Sequence, residues 1–174
     1  MIEFVNLVID RSQNRFVNTK YLSEVLFLYL RYSKFLDDDY AFDGCSFYEY
    51  FINLVERLNP FFWIILYNGR VSGFVFLDNI IGDSKRPHSA ELTTCFDRAF
   101  WGNYTKFCAD IFLKYCFNSL KLKKIKALIY PQNYRVKALL RKSGFEKEGY
   151  LKNETLRNNK LQDIEIYSLI NKER

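Results

Sequence analysis

Residues 90–110 read AELTTCFDRAFWGNYTKFCAD. A β-rich run ends at Phe96, a turn carries Gly102 between Trp101 and Asn103, and a helix-forming run follows. A strand, a glycine turn and a helix start together suit an anion. N–H groups in the first turn of a helix lack partners within it, and that end carries a partial positive charge. Turns that hold phosphate usually carry more glycine, because small residues let the backbone approach closely. This one is either a phosphate loop with one part changed or a turn that holds no ligand. Other reactive groups are few. Cys45, Cys95, Cys108 and Cys116 form no CxxC pair, and His88, the single histidine, cannot complete a zinc set. No metal site is expected. The cysteines read as small core residues in a reducing compartment, with Cys108 and Cys116 on one helix face. A cysteine nucleophile is not expected, since His88 lies in a polar turn with no third partner evident.

These residues need a scaffold, and a chain of 174 residues, 49% of them hydrophobic, is enough for one well-cored domain spanning 1–174. The longest apolar run, PFFWIILY at 60–67, is far below the ~20 residues of a membrane span. The first residues, MIEFVNLVIDR, lack the basic start, apolar core and cleavage site of a signal peptide. A cytoplasmic protein without a membrane partner is expected. The net charge of +6 is uneven. Residues 1–100 hold 10 Lys and Arg against 13 Asp and Glu, a sum of −3; residues 101–174 hold 16 against 7, a sum of +9. Scattered cations in short elements read as solvated surface.

Hydrophobic periodicity gives the order of elements. Residues 2–9 suggest a strand. Residues 18–35 suggest a helix capped by Asn18 or Thr19, and 46–58 a helix capped by Ser46, with Phe47, Phe51, Leu54, Val55 and Leu58 buried. Two β-rich runs flank Asn68-Gly69, the signature of a two-residue hairpin. A third strand, HSAELTTCF, alternates Glu91, Thr93 and Cys95 on one face with Leu92, Thr94 and Phe96 on the other. A long helix over 103–119 places Tyr104, Cys108, Ile111, Phe112 and Tyr115 on one side. A strand at 124–130, a helix opened by Asn133 and closed by Gly144, and two strands joined by the polar NETLRNNK complete the chain. The order is β-α-α-β-β-β-α-β-α-β-β, an α/β chain with a mixed sheet.

With these motifs in this order, the chain resembles the Gcn5-related N-acetyltransferases (GNAT), and in particular the branch that acetylates ribosomal-protein N-termini and related amines. The resemblance rests on Ala90-Glu91-Leu92, Phe96-Asp97 and Trp101-Gly102. Pro131-Gln132-Asn133, Gly144-Phe145, Glu148-Gly149, and Asp163 with Tyr167 complete the ordered set. It covers about residues 61 to 170 and is weaker before that. It implies a mixed, mostly antiparallel twisted sheet of about six to seven strands flanked by helices. It also implies a site for acetyl-CoA as co-substrate. In this fold two central parallel strands splay apart around the pantetheine arm, and the pyrophosphate rests on backbone N–H groups at the start of the long helix.

By the same resemblance, Gly102, Asn103, Tyr104 and Thr105 form the phosphate loop and Asn133 contacts the arm while capping its helix. Arg98 stands one step from the usual basic position, which Ala99 occupies. Tyr104 replaces the loop's second glycine. Either its side chain blocks the cradle or it turns into the core as the first apolar residue of the helix. Glu91 matches the position of a base acting through water, and backbone N–H groups near Phe96 match the oxyanion donors. The tyrosine that many members use as acid is replaced by Leu140. Trp101 reads as a packing residue, and Glu148-Gly149 as a bulge shaping the acceptor cleft. Tyr48, Glu49 and Tyr50, with the acidic run at 37–40, lie where the acceptor side is expected.

Three functions follow. The first is an acetyl-CoA-dependent N-acyltransferase acting on a primary amine, either a protein N-terminus or a small amine. The second is a catalytically degenerate binding or assembly protein of the same fold, of the kind found among phage and prophage proteins. The third, a nucleic-acid partner, has basic stretches but no aromatic stacking platform to support it. Members of this fold often pair through their last strands, which makes a homodimer an expectation as well.

Overall fold

A computed structural model describes residues 1–10, 15–16, 19–41, 44–83 and 87–172. The strands are β1 (Ile2–Asn6), β2 (Ile9–Asp10), β3 (Arg15–Phe16), β4 (Phe62–Tyr67), β5 (Arg70–Gly82), β6 (Pro87–Phe96), β7 (Lys124–Ile129), β8 (Glu146–Arg157) and β9 (Lys160–Ile170). The helices are α1 (Leu22–Leu36), α2 (Phe47–Leu58), α3 (Asn103–Asn118) and α4 (Tyr134–Lys142). Seven strands form one sheet in the order β1-β4-β5-β6-β7-β9-β8, and β2 pairs with β3 apart from it. The pairs β1/β4, β4/β5, β7/β9 and β8/β9 are antiparallel, whereas β6 and β7 run parallel. This is the mixed, mostly antiparallel α/β sheet that the sequence order implied.

The chain falls into two compact units, Met1–Leu77 with Thr93–Trp101, and Asp78–Leu92 with Gly102–Arg174. In the first unit α1 and α2 bury Val25, Leu28, Tyr29, Phe51, Leu54 and Val55 with Phe62, Ile64, Phe74 and Phe76 of the hairpin. The Tyr29 ring stacks on Phe74 at 5.5 Å between centroids, and Phe62 stacks on Phe74 at 5.4 Å. Such pairs add to their area burial. α2 starts where the sequence placed it. The Ser46 hydroxyl accepts from the Glu49 N–H, and the Glu49 carboxylate accepts from the Ser46 N–H, a reciprocal capping box. Asn68 and Gly69 close the hairpin with φ of 49° and 77°, as a two-residue primed turn requires. In the second unit Cys108, Phe112, Leu113 and Cys116 of α3, Ile125 and Ala127 of β7, Leu140 of α4 and Tyr167 of β9 are buried.

Four expectations are corrected. The first strand ends at Asn6 rather than at residue 9. α1 begins at Leu22 after a 3₁₀ turn, Thr19–Tyr21, and its cap position, Tyr21, makes no side-chain capping bond; the alternative cap, Asn18, lies outside the described residues. The buried face of α3 holds Cys108, Phe112 and Cys116 as expected, but it is turned enough to take in Leu113 and leave Tyr115 exposed. A tyrosine keeps its hydroxyl near water, so a smaller cysteine one position on takes the inner place. Finally, NETLRNNK is not a loop. β8 and β9 continue through it, pairing Thr155 with Gln162 and Arg157 with Lys160, and turn on Asn158-Asn159 at φ of 50° and 56°. Asparagine tolerates that left-handed region, which other side chains resist.

Candidate active site

Glu91 sits on β6 opposite Lys126 of β7 in the parallel register. Its Oε1 accepts from Lys126 Nζ at 2.9 Å and its Oε2 accepts from Asn79 Nδ2 at 2.8 Å. Asn79 has a φ of 46°, a left-handed turn of β5 that asparagine accommodates. Neither Lys126 nor Asn79 was anticipated from the sequence. Cross-strand partners depend on register, which spacing along the chain does not contain. The signal available was the alternation of lysines in KIKALIY, residues 124–130.

β6 and β7 pair at Ser89↔Lys124, Ala90↔Ile125 and Glu91↔Lys126. On its other side β7 pairs with β9, from Lys124↔Ile170 to Ile129↔Glu165.

Phe96 and Arg98 belong to the first unit. The Phe96 carbonyl accepts from Trp101 Nε1 at 2.9 Å, and the Trp101 ring packs against Tyr32. The next amide, that of Asp97, donates to the Ser72 carbonyl at 3.0 Å. Arg98 is exposed, in a 3₁₀ turn that Asp97 caps by accepting from the Ala99 N–H. Its own N–H donates to the Tyr32 hydroxyl at 3.0 Å. The Asp97 carboxylate meets Arg31 at 2.6 Å.

The glycine turn and α3 lie in the second unit. Gly102 is the cap residue of α3, with φ 107° and ψ −132°, and its carbonyl accepts from the Lys106 N–H at 3.2 Å. A Cβ at this position would meet nothing within 4 Å, so the requirement for glycine is conformational rather than spatial. Asn103 is exposed, and Tyr104 and Thr105 are half-buried. The Tyr104 side chain hydrogen-bonds Cys108, one turn further along α3. Asn133 caps α4, its Oδ1 accepting from the Val136 N–H at 3.4 Å.

Three of the four thiols are core groups, as expected; Cys45, just before α2, is only half-buried. Cys95 and Cys116 are buried, and burial pushes the Cys95 thiol up to about 12 and Cys116 upward as well. A thiol so raised is protonated at neutral pH and a poor nucleophile. Leu140 is buried, an aliphatic group where a proton donor was sought. Glu148 stands at a register shift of β8 between Lys147 and Gly149, the bulge expected there. Its carboxylate takes Lys124 Nζ at 2.8 and 2.6 Å. Among the described residues no group of His, Cys, Asp and Glu is placed to hold a metal ion, and no helix is long and apolar enough to cross a membrane.

Comparison with known proteins agrees with this architecture. No curated protein matches the sequence. An acetyltransferase of the GNAT family from Bacillus anthracis superposes with a TM-score of 0.73 at 19% identity, over 99% of this chain and 96% of that one. A variant of spermidine N-acetyltransferase SpeG from Vibrio cholerae gives 0.73 at 19%, over 97% of this chain and 93% of its own. The acetyltransferase (GNAT) domain family matches residues 34–146, well over half of the sequence. With that match, the chain belongs to the GNAT acetyltransferase family.

Proposed function

We propose that the protein transfers an acetyl group from acetyl-CoA to a primary amine. The observation that carries this reading is Glu91 of β6, held at both carboxylate oxygens in a chain that matches the acetyltransferase family. Tyr104 is half-buried, and in this reading its side chain turns along α3 and leaves the first-turn amides open.

Acetyl-CoA supplies the acetyl group as an activated thioester. The first-turn amides of Asn103, Tyr104 and Thr105, set by the Gly102 turn, bind the pyrophosphate. Arg98 adds a charge toward a phosphate, and Asn133 holds the arm while capping α4. The Phe96 N–H donates to the developing oxyanion. Glu91 receives, through a water, one proton of the acceptor ammonium. The amine nitrogen then forms the C–N bond as the C–S bond breaks, and the second proton leaves nitrogen as sulfur takes one from solvent. The acceptor is a protein N-terminus, as in the ribosomal-protein branch, or a small amine, as the name of the spermidine N-acetyltransferase states for that protein.

Calorimetry with acetyl-CoA tests the reading, with Gly102→Trp as the control. Micromolar binding that the variant loses is expected. An amine screen then follows, in which Glu91→Gln lowers turnover by roughly 10²–10⁴-fold. No binding at millimolar acetyl-CoA overturns the reading. It would favour the second one, an assembly protein of the same fold, for which the buried Leu140 in place of an acid is the supporting observation.

A further inference from the structure

Glu91 is gripped at both carboxylate oxygens, by Lys126 from one neighbouring strand and Asn79 from the other. The side chains of Glu91 and Lys126 are 23% and 22% exposed, sheltered enough for the pair to hold its geometry yet open to a reactant. Lys124 lies two residues earlier on β7 and therefore on the same face. Its ammonium is drawn to Glu148, which the β8 bulge carries toward it. Bonds from Lys124 and Ser168, with the charge of Lys126, hold the Glu148 carboxyl below the usual carboxylate range. Two lysines and two glutamates thus balance across this face, with Lys124 taken by Glu148 and Lys126 left to Glu91.

We infer that Lys126 and Asn79 are positioning residues for Glu91 in the transfer proposed above, on which this inference rests. A free glutamate turns about three side-chain bonds and presents its lone pairs in many directions. One donor on each oxygen stops the terminal rotation. A carboxylate offers about four acceptor sites, so each oxygen keeps capacity for a water or an amine. Lys126 reaches Glu91 from the residue directly opposite it on β7, so the bond and the strand register fix the carboxylate together. Lys126 touches no reactant itself; it acts by fixing the group that does.

Steady-state kinetics with acetyl-CoA and an amine the wild type acetylates tests this in Lys126→Met, Lys126→Arg and Asn79→Ala, with the exposed Lys114→Met of α3 as control. The expected result is a kcat about 10- to 100-fold lower in Lys126→Met, with KM for acetyl-CoA unchanged and partial recovery in Lys126→Arg. A crystal structure of Lys126→Met is expected to show Glu91 in more than one rotamer. Wild-type kcat in Lys126→Met, or loss of kcat with Glu91 still in its single orientation, overturns the inference and leaves the acetyl-transfer reading standing. A wild-type protein that acetylates no amine overturns both.

Discussion

The Tyr29 hydroxyl donates to Asp37 Oδ1 at 2.7 Å, and Tyr50 donates to the same oxygen at 2.8 Å, while Asp37 Oδ2 is buried and meets no hydrogen-bond partner among the described residues. Asp37 is also the C-cap residue of α1, where the helix dipole disfavours negative charge. Burial pushes its carboxyl above the usual range, against the opposing pull of the two hydroxyls. The unfolded chain therefore loses this proton at lower pH than the folded one. Stability falls as pH rises from the ordinary aspartate value through the raised folded value. Asp37→Asn keeps an acceptor for the tyrosines and removes the uncompensated charge. It is expected to raise stability at pH 7 by roughly 1 kcal/mol, or about 2–4 °C in Tm for a chain of this size. Thermal unfolding at pH 4 and pH 7 checks it, and a gain at pH 4 equal to that at pH 7 would contradict it.

Glu165 shows the opposite sign. Its side chain is 10% exposed, with Lys147 Nζ at 2.9 Å, Lys137 Nζ at 3.3 Å and the Tyr167 hydroxyl at 3.2 Å. Arg141 donates to the Tyr167 hydroxyl, so α4 is tied to β9 twice, by Lys137 to the carboxylate and by Arg141 to the tyrosine beside it. Lys147 first, then Lys137 and Tyr167, hold the Glu165 carboxyl below its usual value, against burial. A depressed acid stabilises above its unfolded pKa, and that contribution is lost as pH falls through the folded value. Glu165→Ala leaves Lys137 covered and unpaired, at a cost of about 3 kcal/mol. Acid titration of wild type and variant by circular dichroism should show a shallower pH dependence below pH ~4 in the variant. Equal slopes would mean the cluster is not linked to folding.

The sequence made some of this legible and not the rest. Ser46 before an apolar stripe predicted the cap that starts α2, and Asn68-Gly69 predicted the hairpin, because both signals are local; the return bond to Glu49 came only with the structure. The two strands of the β8–β9 hairpin were legible but their length was not, because Asn153–Asn159 has no apolar alternation. Its exposed strands are held by pairing, with Asn153 donating to Asp163 at 2.7 Å. Glu91 was singled out, but Lys126 and Asn79 were not. Their meeting depends on which strands neighbour β6, a fact 35 residues away along the chain in the case of Lys126.

Gly102 and α3 allow a test that separates conformation from space. A Cβ there meets nothing within 4 Å, yet φ is 107° and ψ −132°, a region that L side chains enter at a cost. Gly102→Ala is expected to destabilise by about 1–3 kcal/mol without any clash. D-alanine, introduced by semisynthesis, should restore wild-type stability, since its favoured region includes this conformation. Loss of stability with both alanines would assign the requirement to space instead.

Gly73 is the contrasting case, because there space decides. It lies on β5 in the first unit, buried against the end of β6. A Cβ built on it would overlap the Cys95 carbonyl oxygen and come within 2.9 Å of the Phe96 ring and 3.2 Å of Phe96 Cα. Two of those neighbours are backbone, which cannot swing away as the tip of a side chain does. They are also tied in place, as the next amide, Asp97, donates to the Ser72 carbonyl and the Phe96 carbonyl takes the Trp101 indole. Gly73→Ala must therefore push β5 and β6 apart, and is expected to cost about 1–3 kcal/mol. Because the displaced strand carries Phe96, the proposed oxyanion donor, acetyl-CoA turnover should fall further than stability alone explains. Urea unfolding together with kcat at a temperature where the variant is fully folded separates the two effects. An unchanged kcat in the folded variant would show that the end of β6 does not face the reacting carbonyl.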